Sequence, residues 1–244
     1  MNSKPKWYSR EANKPLPDID YLKDIDGFDW MNTSNLNGDY NFSILKTNSN
    51  MFNDDRNTLR VLEPISKGCR ACAMCELGQS TIKDENNNLR DPHVFSSLTD
   101  SKYVIVGMSP SVEDVKNGDV FSDNLGKYII KHLSINGIAR GDLYITNLVK
   151  CVSDAPELHS RRSCEPYLNI ELNTIGPKII ATIGQDVFHQ FCPHVDYRKS
   201  FKTIIKNNKY GFPVLPIESP LVDRDVFKEH IAIFSKIIKS LNRN

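Results

Sequence analysis

The stretch GCRACAMCELG, residues 68–78, sets Cys69, Cys72 and Cys75 at three-residue intervals in a chain with six cysteines in all. Three thiols so close together cannot all pair with one another, whereas a Cys-x-x-Cys unit presents two thiolates to one metal ion or cluster. Cys151 and Cys164 stand further on, with twelve residues between them, and read as the other half of a four-thiolate site. Zinc and a [4Fe-4S] cluster both take tetrahedrally disposed soft ligands. Zinc ribbons usually bring two Cys-x-x-Cys knuckles, and only one such stretch is present, so the cluster is the expectation and zinc the alternative. Cys192 sits alone after an apolar run and reads as a small core residue.

These thiols need elements to hold them. YVIVG (103–107) is a short apolar run ending in Gly, DLYITNLV (142–149) a second strand candidate, KIIATIG (178–184) a third and FPVLPI (212–217) a fourth. Helical patterns fall between and after them, at 125–137, 164–176, from 186, and at 224–241. Strands alternating with helices predict an α/β domain with a mostly parallel sheet covered on both faces. Sites in such sheets lie at the carboxyl ends of the strands, where GMSPS (107–111), Asn147 and ESP (218–220) fall. Cys151 follows the second strand, and Cys164 is placed at the opening of the next helix.

Composition sets the outer limits. The 244 residues are 39% hydrophobic and 25% charged with a formal charge of +1, so a polyanion would have to be met by a local patch. Lys127, Lys131, Arg161, Arg162, Arg198, Lys199 and Lys202 are candidates for such a patch, although basic residues are more often plain solvated surface. Residues 1–60 hold ten Asn and eight Asp with no sustained period, and are expected to form a polar, partly disordered arm suited to a protein partner. Residues 61–244 form the domain. No apolar segment follows Met1 and no run approaches a membrane span, which predicts a cytoplasmic protein. The richness in Asn and Lys points to a low-GC bacterial or phage genome.

The run GMSPSVEDVKNGDVFSDNLGKYIIKHLSINGIARGDLYITNLVKC resembles, without a gap over about 45 residues, the core of the family 4, iron-sulfur uracil-DNA glycosylases. Their pattern is close to GEAPGxxEDxxGxPFVGxAGxLLxxxLxxxGIxRxxVYITNxVKC. Cys164 with PYL is similar to the family's CxxFL helix, KIIATIG to its PxxIVxLG strand, and the Cys-x-x-Cys to its N-terminal ligand pair. The resemblance covers roughly residues 65–235. It implies a three-layer sandwich around a four-stranded sheet and a structural [4Fe-4S] cluster held by Cys72, Cys75, Cys151 and Cys164. Cys69 remains the alternative to Cys75; the preferred register puts Leu77 where the family has a Leu two residues after its second ligand.

The same resemblance implies a base site. Phe121 takes the position of the stacking aromatic and Asn147 that of the uracil-reading amide, which can donate to a carbonyl and accept from a ring N–H. Backbone N–H groups of the turn through Met108, Ser109, Pro110 and Ser111 would face the developing oxyanion, with Asp114 holding the attacking water. Two positions depart from the pattern: Met108 replaces a Glu, and Ser219 replaces the His of an HPS motif that also carries a wedge loop. Ser109 and Ser111 also differ from the family's residues. The implied activity is excision of uracil or a related modified pyrimidine from single- or double-stranded DNA. The alternative is a catalytically weakened fold serving as a DNA-binding or replication-complex component, with the arm as its partner-binding element.

Overall fold

The computed structural model describes residues 99–242 continuously, residues 93–97, 82–83, 89–90 and 74–80, and Leu62, Ile65, Ser66, Cys69 and Cys72. The arm expected over 1–60 lies outside the described residues. Four strands form one sheet: β1 (Tyr103–Gly107), β2 (Tyr144–Asn147), β3 (Ile179–Ile183) and β4 (Val214–Ile217). Their order is β2-β1-β3-β4, and every neighbouring pair is parallel. The helices are α1 (Val112–Asn117), α2 (Asn124–Ile135), α3 (Leu158–Ile175), α4 (Gln185–Phe191) and α5 (Arg224–Leu241).

Alternation along each strand divides the core in two. Val104, Val106, Tyr144, Ile180 and Val214 meet one apolar cluster with Leu168 and Leu172 of α3 and Phe188 and Phe191 of α4. Tyr103, Ile105, Ile145, Ala181, Leu215 and Ile217 meet the other, with Ile129 and Leu133 of α2 and Phe227, Ile231, Phe234 and Ile238 of α5. The result is three layers, helix on sheet on helix, as the strand–helix alternation predicts. Because both faces are covered, the strands read as continuous apolar runs. No helix among the described residues is long and apolar enough to cross a membrane.

Local signals fix the helix ends near the site. Ser111 caps α1, accepting from the Asp114 N–H at 3.1 Å while the Asp114 carboxylate accepts from the Ser111 N–H at 3.0 Å. Asp123 caps α2 through the Gly126 N–H at 2.6 Å. Asp223 caps α5 through the N–H groups of Asp225 and Val226.

Two boundaries differ from the expectation. The strand read over 142–149 is only Tyr144–Asn147, because Arg140–Asp142 form a 3-10 turn, and beyond the strand the Leu148 and Val149 N–H groups donate to the Gly107 and Met108 carbonyls at 2.9 Å each. Helix α3 starts at Leu158, so Cys164 lies within the helix rather than opening it. The polar first turns, HSRRS, hide the start, and Pro166 in the helix interior reads as a breaker. Helix α1 and a small antiparallel ribbon, Ile82–Lys83 against Leu89–Arg90, carry too little periodicity to be seen in sequence.

Candidate functional site

Gly107 and Asn147 are the last residues of β1 and β2 and sit opposite each other in the sheet. The Asn147 side chain is 1% exposed, and neither its Oδ1 nor its Nδ2 has a hydrogen-bond partner among the described residues. A buried amide with both polar atoms unmatched costs about 1–3 kcal/mol for each. Such a group is a candidate for meeting a bound molecule. Gly107 makes room for it: a Cβ there would stand 2.4 Å from Asn147 Oδ1 and 2.8 Å from the Phe121 ring. Amide and ring therefore converge over a position with no side chain.

Phe121 reaches this place by an uncommon backbone. Its φ is 55°, left-handed for a bulky residue. Gly126 of α2 lies directly beneath, where a Cβ would come within 2.3 Å of Phe121 backbone atoms. The segment is fastened on both sides. Asp114 Oδ1 accepts from the Ser122 N–H at 2.6 Å, the Ser122 hydroxyl at 2.9 Å and the Asp123 N–H at 3.2 Å. Arg140 donates to Asp119 at 2.6 Å and to the Val120 carbonyl. Asp114, 3% exposed, thus has both oxygens engaged by its own loops.

The remaining expected residues line the same end of the sheet. Met108 packs against the core cluster, Pro110 is buried, and the Ser109 hydroxyl donates to the Ser153 carbonyl. The Ser111 N–H is committed to Asp114, and Pro110 has none to offer. Ser219 follows β4; its Oγ accepts from the Leu221 N–H at 3.3 Å, and its N–H donates to Glu218 at 2.8 Å. Beside it, buried Glu218 accepts from the Tyr197 hydroxyl, and its N–H donates to His230 Nδ1 at 3.0 Å. His230 is buried, and burial lowers its pKa. Leu221 and Val222, in the loop after Ser219, are 75% and 68% exposed.

Cys69, Cys72, Cys75, Cys151 and Cys164 are all buried and free. Burial first, then Cys164, Cys75 and Cys72, push Cys151 up to about 12. Cys164 rises to about 11, chiefly by burial, with the Lys150 N–H bond and ammonium opposing and Cys75 and Cys72 adding to the rise. Cys69 is raised well above an ordinary thiol by burial and by Cys164, Cys151 and Cys72, against Lys150. Among the described residues no three Cys, His, Asp or Glu side chains are grouped as a single metal ion requires. Helix α3 ties the cysteine loop down, the Ser163 hydroxyl donating to the Met74 carbonyl and Ser160 to Glu76.

Between base site and thiols lies a buried ion pair. Lys150 and Glu171 have fully buried side chains in direct contact. Lys150 also donates to Thr146 at 2.6 Å and to the Asn147 carbonyl at 2.9 Å, while Glu171 accepts from Tyr144 and Thr146. Burial raises the Glu171 pKa, and Lys150 opposes that rise.

A family model described as the uracil DNA glycosylase superfamily matches residues 93–229, more than half of the chain. The chain belongs to the uracil-DNA glycosylase superfamily. Among curated relatives, the Type-4 uracil-DNA glycosylase of Thermotoga maritima is 27% identical over 167 residues, covering 66% of this chain and 81% of that protein. That of Sulfurisphaera tokodaii is 34% identical over 131 residues, 51% of this chain and 54% of that protein. The superfamily match contains Met108, Phe121, Asn147, Cys151, Cys164 and Ser219, and begins after Cys69, Cys72 and Cys75. Arg140, Gly126 and the Lys150–Glu171 pair were not singled out in the sequence, although Arg140 and Lys150 fall on the GIxR and VKC positions of the glycosylase pattern.

Proposed function

We propose that the chain is a DNA glycosylase that excises uracil or a related modified pyrimidine by hydrolysing the N-glycosidic bond. The observation that carries this reading is the buried Asn147 amide, unmatched at both atoms, beside the Phe121 ring. Uracil drawn out of the helix presents O4 as acceptor and N3–H as donor, and one amide satisfies both, Nδ2 donating and Oδ1 accepting. Cytosine presents the reverse pattern, which the amide meets only with Nδ2 and Oδ1 exchanged. Phe121 supplies the stacking face, and Gly107 lets both groups approach.

Bond breaking gives the sugar oxocarbenium character and the base a negative charge; water adds to C1′ to leave an abasic sugar. Asn147 Nδ2–H lies on the edge where that charge develops. The turn adds less than its sequence promises, since Pro110 has no N–H and that of Ser111 is spent on Asp114. Nor do the altered positions supply an acid or base: Met108 is packed against the core, and Ser219 Oγ is engaged within its own loop. Losing one such electrostatic group costs about 10²- to 10³-fold in rate. Slow turnover is the expectation. The exposed Leu221 and Val222 would wedge into the gap left by the extracted nucleotide.

The five buried, free thiols fit a [4Fe-4S] cluster by their donor chemistry. Cys72, Cys75, Cys151 and Cys164 are the ligands on the glycosylase pattern, with Cys69 as the alternative to Cys75. When bound, the group supplies cross-linking of distant segments and takes no part in bond cleavage.

The test is incubation of the protein with single- and double-stranded oligonucleotides containing uracil or hydroxymethyluracil, followed by alkaline cleavage at abasic sites. Strand breaks at uracil are expected. Salt-dependent DNA binding with no base released from either substrate would overturn the enzyme and leave a DNA-binding component in its place.

A further inference from the structure

A bulky residue in the left-handed region persists only where its surroundings over-determine it. Phe121 is such a residue, with φ 55°. A ring that merely filled the core would need no such backbone, because negative φ values serve any buried aromatic. The restraints converge from three elements. Arg140, in the turn before β2, grips the Val120 carbonyl and the Asp119 carboxylate just ahead of the ring. Asp114, from α1, grips the Ser122 and Asp123 N–H groups just behind it. Gly126, from α2, leaves the hollow in which the strained backbone sits.

We propose that Arg140 and Asp114 are positioning residues that lock Phe121 in its left-handed conformation and so aim its ring across Gly107 at the Asn147 amide. Neither residue touches the base; each acts through the ring. Asp114 is on this account a fastening of the loop rather than a holder of water. Both bonds leave one guanidinium nitrogen, Nη2, which ties the Asp119 carboxylate and the Val120 carbonyl to a single point on the turn before β2. The aim of the lock rests on the glycosylase reading above, but the lock itself does not.

Two measurements separate them. Melting temperatures of Phe121→Gly and Phe121→Ala isolate the backbone conformation, since Gly adopts positive φ without penalty. In the otherwise native chain the Gly variant should melt about 2–4 °C above the Ala variant. That gap should close when Arg140→Met or Asp114→Asn is added and the loop relaxes. No gap, or a gap that survives both additions, overturns the lock.

The second measurement is affinity for a single-stranded oligonucleotide bearing one non-cleavable 2′-fluoroarabino-deoxyuridine. Phe121→Ala and Arg140→Met should each weaken it by about 5- to 150-fold, the range of a lost base–aromatic stack. Combined, they should weaken it no more than Phe121→Ala alone, whereas independent effects would multiply. Multiplying effects overturn the proposal. If the native chain binds the fluorouridine strand no better than its thymidine counterpart, the uracil reading fails while the melting data still decide the lock.

Discussion

On the proposed reading, recognition and chemistry meet in the Asn147 side chain. Asn147→Asp replaces a donor and an acceptor with two acceptors and sets a negative charge against a departing anion. Uracil excision in single-turnover assays should fall by about 10²-fold or more. Affinity for uracil-free DNA should barely change, since phosphate contacts supply most of it and carry no base information. A parallel drop in affinity would mean that the amide supports the fold instead. At Met108 and Ser219 the reverse is expected: Met108→Glu with Ser219→His should raise excision, because both changes bring polar groups to a site now poor in them. Asn147 and Phe121 were legible only through the register of a long motif; alone, one is a turn residue and the other a core ring. The conformation of Phe121 was not legible, since it is imposed by Arg140 and Asp114 across gaps in sequence that no local pattern reports.

Among the elements, β1, β3, β4 and α5 could be read nearly to the residue because burial on both faces, or one apolar stripe, leaves a plain pattern. Helix α3 could not. It buries Ser160, Ser163, Cys164, Tyr167 and Glu171 on several sides, and its polar partners lie in segments far off in sequence. The junction of β4 and α5 carries a pH prediction. His230 accepts the Glu218 N–H at Nδ1 and packs against Phe201, with Glu229, Glu218 and Lys202 as the charges facing it. Burial sets its folded-state pKa below the value of about 6.5 expected in the unfolded chain. The unfolded chain therefore takes up the proton first as the solution is acidified, so the contribution is intact above about pH 6.5 and lost progressively below it. Thermal melts between about pH 7.5 and 5 should show a fall in stability that is smaller in His230→Gln. An unchanged fall would assign the acid sensitivity to other groups.

For the molecule as a whole, the proposed cluster would join parts of the chain that are remote in sequence: the loop before β1, the exit of β2 and the body of α3. Closing a long loop removes much of the unfolded chain's freedom, so the cross-link should matter for stability more than for chemistry. Protein purified without oxygen should carry about four irons per chain and absorb broadly at about 400 nm. Cys151→Ser or Cys164→Ser should lose both signals and melt lower, whereas Cys69→Ser should be milder than Cys75→Ser. Stoichiometric zinc without iron would sink the cluster, and a severe Cys69→Ser with a mild Cys75→Ser would move the ligand pair back by three residues.

The Lys150–Glu171 pair has a consequence for how this chain can diverge. Removing either partner alone strands a charge in a region sealed from water, at a cost of about 3–5 kcal/mol, a large share of the stability of an ordinary domain. Replacing both with apolar groups of similar volume is often tolerated. Lineages at this site must therefore cross a valley or change two codons together, while the carbonyl of Asn147 loses its anchor along the way. Drift at the surface can proceed one residue at a time; here it is gated in pairs, and Asn147 is sheltered by a neighbour that cannot easily change.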